Sequence, residues 1–217
     1  MLEGISSFDV AFKQPARLED KALHYVLPHP ESADLVMDFE VRRKAPGSKE
    51  LVHVPVGHIV LHRTKVRRRR GVAPEPPAHP YGIEVRRRHL NSNGDVSWYT
   101  LVSVIMDVAR RGAQFSDPRD DRFDPALLYI VPSFSFSPLA RAKAEPNLFI
   151  YPEFALEQEW VPGKSSAIAR VTYWAVANDF PKPIAESLVT VVRTSLVNGA
   201  RRAVDEHGRP ISHPKSS

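Results

Sequence analysis

The 217-residue sequence contains no cysteine, which excludes a disulfide framework, a zinc finger and a thiol nucleophile. It also contains no apolar run close to the ~20 residues that a membrane-spanning helix needs. Residues Met1 to Ile5 have neither the basic start nor the apolar stretch of a secretory signal. We therefore expect a cytoplasmic protein that makes no membrane contact.

The sequence also has few catalytic signatures. No Gly-x-Ser-x-Gly elbow is present. Gly163-Lys164-Ser165 resembles the end of a phosphate loop, but Gln158 stands where that motif requires a glycine. This segment is interpreted as a turn. An acid/base site made from His, Tyr or Lys would leave no such signature, so enzymatic activity stays open, with a non-catalytic role favoured.

Three histidines, His53, His58 and His62, lie in one β-rich stretch. His58 and His62 share a strand face but are about 13 Å apart by strand rise, too far for one metal ion. His53 has the opposite parity unless a bulge near Pro55–Gly57 resets it. We expect neither a metal site nor a cofactor.

Two groups of carboxylates are candidates for a catalytic site. The first could hold Mg²⁺ as two-metal nucleases do, but interleaved arginines favour a solvated, internally paired loop. The second lies beside Trp160 and could form an acid/base pair, although an exposed strand edge explains it equally well. The first group is Asp117, Asp120, Asp121 and Asp124, and the second is Glu153, Glu157 and Glu159.

Positive charge is concentrated in one part of the chain. Residues 41–90 contain thirteen basic and three acidic side chains, whereas the other 167 residues have a net charge of −5. Ten of the thirteen cations are arginine, whose planar guanidinium binds phosphate oxygens in a fork. Such density is unfavourable unless an anion compensates it, and phosphate is the usual one.

Hydrophobic spacing predicts an α+β fold, mainly antiparallel sheet with two to three packed helices. The helical stretches are Pro15 to Val26, Trp98 to Arg111 with Gly112 as the end signal (a strand over 96–104 is the alternative), and Pro183 to about Val197. Asn91 to Asp95 is predicted as a turn. Strands are predicted at Phe8 to Phe12, Leu35 to Arg42, Leu51 to about Arg69, Tyr81 to Leu90, Leu127 to Val131, Leu148 to Tyr151 and Ser166 to Ala177. Arg-rich strands on both sides of a proline-rich loop at 71–80 predict a projecting β-hairpin, a finger at about residues 57–90. Residues 1–207 are expected to form a single domain, and residues 208–217 a mobile tail.

These features predict a nucleic-acid-binding, non-catalytic subunit of a larger assembly. RNA is favoured over DNA as the ligand. Few aromatics accompany the charges, which favours contact with the phosphate backbone over base reading. The alternative is a structural protein of a virion, phage tail or injection apparatus that uses the same finger for subunit contacts. The predicted contact residues are Arg63, Lys65, Arg67, Arg68, Arg69, Arg70, Arg86, Arg87 and Arg88.

Overall fold

The computed structural model describes residues 7–13, 20, 23–25, 35–45, 47–62, 82–118, 127–177, 180–197 and 200–211. These residues form two compact units. The first draws on Met1–Arg70 and Pro132–Ser137, and the second on Gly71–Val131 and Pro138–Ser217. Antiparallel β-sheet predominates in both.

The first unit is a sheet with no α-helix among its described residues. Its strands are β1 (Ser7–Phe12), β2 (Leu23–Tyr25), β3 (Leu35–Lys44) and β4 (Leu51–His62), in the order β2-β3-β4-β1. Part of β6 (Leu128–Pro138) pairs with β1 in this unit, with Phe8 opposite Phe136. The two rings stack with their centroids 5.1 Å apart.

A β-bulge interrupts the pairing of β3 with β4. Phe39 lies opposite Gly57 and Glu40 opposite Pro55, so Val56 is the extra residue. Glycine is needed beside it, because a Cβ on Gly57 would lie 2.6 Å from the carbonyl oxygen of Ala11. The bulge resets the strand's alternation and brings the three histidines of β4 to one face, as the register shows.

The second unit contains the one α-helix of the described residues. Its elements are β5 (Ile83–Glu84), a single-turn 3-10 helix (Arg87–His89), α1 (Trp98–Ser116), part of β6, β7 (Phe149–Gln158), β8 (Ser166–Ala177), β9 (Phe180–Val197) and β10 (Ala200–Ala203). The sheet order is β6-β9-β8-β7-β5, and β10 pairs with β9. Helix α1 packs on β7, β8 and β9.

Helix α1 buries its face at Thr100, Leu101, Ile105, Ala109 and Ala113, the i, i+4 spacing of an amphipathic helix. The helix was predicted from this stripe, but its end was placed too early. Gly112 lies inside the helix, and a Cβ there would come within 2.2 Å of the Phe154 ring on β7. This glycine serves close helix–sheet packing.

The predicted fold class is wrong, because the described residues form mostly antiparallel sheet with a single α-helix. The segment predicted as the helix from Pro183 to Val197 is the long strand β9, and Leu23–Tyr25 of the first predicted helix is β2. The projecting hairpin is also absent from the described residues. Strand β4 pairs with β1 and β3, while β5 pairs with β7.

Residues 63–81 of the predicted finger and residues 212–217 of the predicted tail lie outside the described residues. Residues 208–211 are held close to the sheet, since Ile211 N–H donates to the Ala203 carbonyl oxygen. Within the described part of the chain, no helix combines the length and apolar character needed to cross a membrane.

Candidate functional site

The loop that leads into α1 folds around the side chain of Asn91. Its Oδ1 accepts hydrogen bonds from the backbone N–H groups of Asn93 (2.9 Å) and Asp95 (3.0 Å). The Asn91 backbone N–H donates to the Asp95 carbonyl oxygen at 2.8 Å. Gly94 has φ 76°, a left-handed conformation that glycine adopts without strain. Together these features fix the backbone of Asp95 just before the helix.

The segment that follows β6, residues 139–142 (here called the clamping segment), holds this loop close to the sheet by backbone hydrogen bonds. The backbone N–H of Val96 donates to the carbonyl oxygen of Ala142 at 2.8 Å. In the same segment, the N–H groups of Leu139 and Ala140 donate to the carbonyl oxygen of Ile184 on β9, at 2.8 and 3.1 Å. The loop, the segment and β9 therefore meet at one place in the second unit.

A cleft of about 320 Å³ lies at this meeting place. Eight of its twelve lining residues are apolar, and an asparagine pair, one carboxylate and one exposed arginine supply a polar part of the lining. A cleft of this composition suits a ligand with an apolar body and one polar group. The lining residues are Asn91, Asn93, Asp95, Val96, Trp98, Leu101, Pro138, Leu139, Ala140, Arg141, Ala142 and Ile184.

Asp95 is the residue of this cleft with the most unusual environment. Only 7 % of it is exposed, and its Oδ1 is buried without a hydrogen-bond partner in the described part of the chain. A buried oxygen that lacks a partner costs about 1–3 kcal/mol, and more when it is charged. Native proteins seldom retain such a group unless it serves a function or binds an additional molecule.

The start of α1 favours an anion here. Ser97 is the N-cap, with its Oγ accepting from the Tyr99 N–H at 3.2 Å. Its own N–H donates to the carbonyl oxygen of His89, which also accepts from the Thr100 hydroxyl at 3.2 Å. The positive end of the helix dipole stabilises negative charge in this region. Asp95 lies two residues before the N-cap, beside the cleft.

A second buried carboxylate, Asp117, caps the other end of α1. It accepts hydrogen bonds from Nε and Nη2 of Arg193, the latter at 2.7 Å, and from the Tyr129 hydroxyl at 2.8 Å. The Arg193 guanidinium lies 4.5 Å from the centroid of the Trp160 ring. Asp117 thus belongs to a buried structural cluster, contrary to the solvated loop expected there; Asp120, Asp121 and Asp124 lie outside the described residues.

The other carboxylates that were weighed are engaged with neighbours. Glu153 accepts from Trp174 Nε1 at 2.9 Å, and Glu157 is 2.7 Å from Arg170 Nε. Glu159 is exposed. These contacts give each of the first two a structural partner and leave no paired acid/base arrangement at this strand edge.

The histidines of β4 form separate pairs on their shared face. His53 Nδ1 is 3.1 Å from Glu40, and His62 Nε2 is 2.7 Å from Asp9, while His58 lies opposite Asp38. No group of three or more His, Cys, Asp or Glu within the described ranges could hold a metal ion.

The predicted contact arginines are only partly described. Arg63, Lys65 and Arg67 to Arg70 lie outside the described residues. Arg86 to Arg88 are exposed, at the 3-10 helix and not along a hairpin face. Arg86 pairs with Glu84 at 2.7 Å, and Arg88 donates to His89.

The sequence of Asn91 to Asp95 predicts a turn but gives no indication that Asp95 is buried beside a cleft. One local signal was available, namely an acidic residue that follows a glycine turn and lies two residues before a serine N-cap. The decisive contacts come from Ala142, whose carbonyl oxygen accepts from the Val96 N–H, and from Ala144, whose N–H donates to the Gly94 carbonyl oxygen. These residues are remote in sequence, so no local pattern indicates their approach.

No protein-family model matches this sequence, and no curated protein matches it. Solved structures do resemble the fold. The 12:0-ACP thioesterase from Umbellularia californica superposes with a TM-score of 0.52 and 8% identity, covering 87% of this chain and 72% of that one. An acyl-ACP thioesterase from Bacteroides thetaiotaomicron gives a TM-score of 0.45 at 10% identity over 86% and 75% of the two chains.

A further resemblance is to the 4-hydroxybenzoyl CoA thioesterase from Pseudomonas sp. strain CBS-3, with a TM-score of 0.45, 12% identity, and coverage of 57% of this chain and 89% of that one. The likeness to the Umbellularia enzyme identifies the architecture as a hotdog fold, in which antiparallel sheet packs against one long helix.

The predicted functions are therefore corrected. The hotdog architecture shared with a thioesterase overturns both the nucleic-acid-binding role and the virion or tail assembly role, together with their partners. A high charge density along the chain does not by itself identify phosphate as the ligand, because intramolecular carboxylates can also pair with the cations. Among the described cations, Arg43 is paired with Asp20 in the first unit and Arg86 with Glu84 in the second.

Proposed function

We propose that the protein hydrolyses acyl thioesters, with the acyl group carried on coenzyme A or on an acyl carrier protein. The observation that carries this proposal is the buried Oδ1 of Asp95, which lacks a partner beside an apolar cleft at the start of α1. The hotdog fold supports it, because similar structures include a 12:0-ACP thioesterase.

The apolar lining explains why an acyl group would enter. Leu101 and Ile184 are both 2 % exposed and lie in the cleft wall beside the alanines of the clamping segment. Burying an acyl chain against such side chains is favourable by about 25 cal/mol per Å² of apolar surface. The thioester head would then lie near the polar end of the lining, where Asp95 is found.

Asp95 would act as the general base. Its carboxylate takes a proton from water, and the water oxygen attacks the thioester carbonyl carbon. The carbon–sulfur bond then breaks, and the departing thiolate receives the proton from the Asp95 carboxyl. The products are a carboxylic acid and a free thiol, and the carboxylate is restored. The apolar walls strengthen this electrostatic chemistry by excluding bulk water.

The test measures thiol release from a series of acyl-CoA and acyl-carrier-protein thioesters by wild type and Asp95→Asn. The variant keeps the shape of the side chain but removes the base, and we expect kcat/KM to fall about 10²–10⁴-fold. Asp107→Asn is the matched control, since Asp107 is an exposed carboxylate on α1. Absence of hydrolysis by wild type, or full activity of Asp95→Asn, refutes the proposal.

A further inference from the structure

The orientation of the Asn91 carboxamide is determined by its contacts. Two backbone N–H groups, those of Asn93 and Asp95, converge on one atom of the carboxamide. Only an oxygen can accept both bonds, so the amide cannot be flipped without opposing donor to donor. The amide nitrogen, Nδ2, must therefore point away from the loop backbone.

Nδ2 of Asn91 makes no hydrogen bond to any residue that the structure describes, and Asn91 lines the cleft. Its two N–H bonds are thus available to a ligand. The acceptor side of the same amide is fully used, so the group can offer only donors. A donor of this kind is complementary to a carbonyl oxygen.

Asn91 and Asp95 are held to each other by two hydrogen bonds. One runs from the Asp95 N–H to Asn91 Oδ1 at 3.0 Å, and the other from the Asn91 N–H to the Asp95 carbonyl oxygen at 2.8 Å. The loop therefore carries an oriented neutral donor and a residue, Asp95, whose backbone is fixed, and both residues line one cleft. Such pre-organisation avoids reorganisation during the reaction.

We propose that Asn91 Nδ2 donates a hydrogen bond to the carbonyl oxygen of the bound acyl compound. This inference rests on the proposed thioester hydrolysis. When water attacks, the carbonyl oxygen becomes an oxyanion, and the Nδ2–H bond strengthens as that charge develops. When the carbon–sulfur bond breaks, the oxygen returns to a carbonyl, and no proton leaves Asn91.

The test compares Asn91→Asp with Ser92→Asp. Asn91→Asp preserves the oxygen that accepts the two backbone N–H groups, removes the donor and adds a negative charge. Ser92→Asp is the control, because it adds the same charge at an exposed neighbouring position outside the cleft lining. We expect kcat to fall about 10²–10³-fold in Asn91→Asp, the usual effect of losing one oxyanion donor, and to stay within about threefold of wild type in Ser92→Asp.

The pH profile separates donor loss from charge repulsion. An effect of the new carboxylate on the ionisation of Asp95 would move the acidic limb of the rate profile and leave its high-pH plateau unchanged, and Ser92→Asp reports the effect of the added charge on the oxyanion. The proposal expects the deficit of Asn91→Asp to persist on that plateau. A plateau equal to that of wild type overturns it and leaves the proposed hydrolysis intact.

A binding measurement keeps the inference testable without turnover. The probe is an acyl-CoA analogue in which a methylene replaces the thioester sulfur, so the carbonyl remains and cannot be hydrolysed. We expect it to bind Asn91→Asp about tenfold more weakly than wild type and to shift the Asn91 side-chain amide NMR signal. Equal affinity, or no binding to wild type, overturns the inference, whereas wild type that binds the analogue without hydrolysing thioesters refutes only the proposed function.

Discussion

Two buried aspartates stand at opposite ends of helix α1 and have opposite environments. Asp117, 3 % exposed, receives three hydrogen bonds from Arg193 and Tyr129. Asp95, 7 % exposed, has an oxygen with no partner among the described residues. The same residue type is therefore hydrogen-bonded by its own chain at one end of the helix and has an unpartnered oxygen at the other.

The helix dipole makes this contrast sharper. A carboxylate is unfavourable at the C-terminal end of a helix and favourable near the N-terminal end. Asp117 is tolerated at the unfavourable end because the Arg193 guanidinium neutralises it. Asp95 lies at the favourable end, and no cation is bonded to its side chain among the described residues.

The largest stability effect is expected from Asp117→Asn. Removing this charge leaves Arg193 buried without a counterion, which costs about 3–5 kcal/mol of unfolding free energy. Denaturant titration measures the loss, with Asp107→Asn as the control. Asp107 forms an exposed pair with Arg111 at 3.8 Å, and such pairs contribute about 0–1 kcal/mol. Equal losses in the two variants would contradict the structural role of Asp117.

The packing between the two ends of the helix is tested by Gly112→Ala. Alanine normally stabilises a helix interior by about 1 kcal/mol over glycine. Here its Cβ would overlap the Phe154 ring, and we expect a loss of about 1–3 kcal/mol, the usual effect of overpacking.

The matched background for that variant is Phe154→Ala, in which the overlap is removed and Gly112→Ala should become neutral or stabilising. The interaction free energy from this double-mutant cycle is the measured quantity. An additive result would show that helix and sheet are not in close contact at this position.

Asp95→Asn should change stability far less than Asp117→Asn. No ion pair is broken, so we expect the free energy of unfolding to stay within about 1 kcal/mol of wild type or to rise. A loss as large as that of Asp117→Asn would mean that Asp95 is a structural group, and the contrast between the two ends of the helix would disappear.

The smallest effect is expected from Glu206, a carboxylate at the surface. Its pKa is lowered, chiefly because the Gly163 N–H donates to its Oε2 at 2.7 Å. A lowered folded-state pKa contributes stability above the unfolded pKa of about 4.3, and that contribution is lost as the pH falls through the folded value. Thermal unfolding between pH 3 and 7 should therefore show a shallower acid loss in Glu206→Gln than in wild type.

Local patterns predicted helix α1 and most strand positions, but not β9. In the structure Ala185, Ser187, Val189, Val191 and Arg193 are all at most 1 % exposed, a period of two. This period is not visible in the sequence, because Ser187 and Arg193 are polar residues on the buried face. They interrupt the alternation of apolar and polar residues from which a strand is predicted. The many β-branched residues of this segment were the better signal.

The candidate site could be predicted only in part. The glycine turn before α1 was identified from Asn91 to Asp95, and the structure has its glycine in the left-handed conformation. The burial of Asp95 and the cleft itself depend on the clamping segment after β6 and on Ile184, which are remote in sequence. The arginine-rich segment led to a functional site being predicted there and not at Asp95. The distribution of charge along a chain carries no information about which strands pair.

The most direct test of the contrast compares the ¹³C chemical shifts of the Asp95 and Asp117 carboxyl carbons during titration with the non-hydrolysable ketone analogue. The account predicts that the Asp95 signal moves with occupancy of the cleft and that the Asp117 signal stays in place. An Asp95 signal that remains unchanged at saturation would contradict the account.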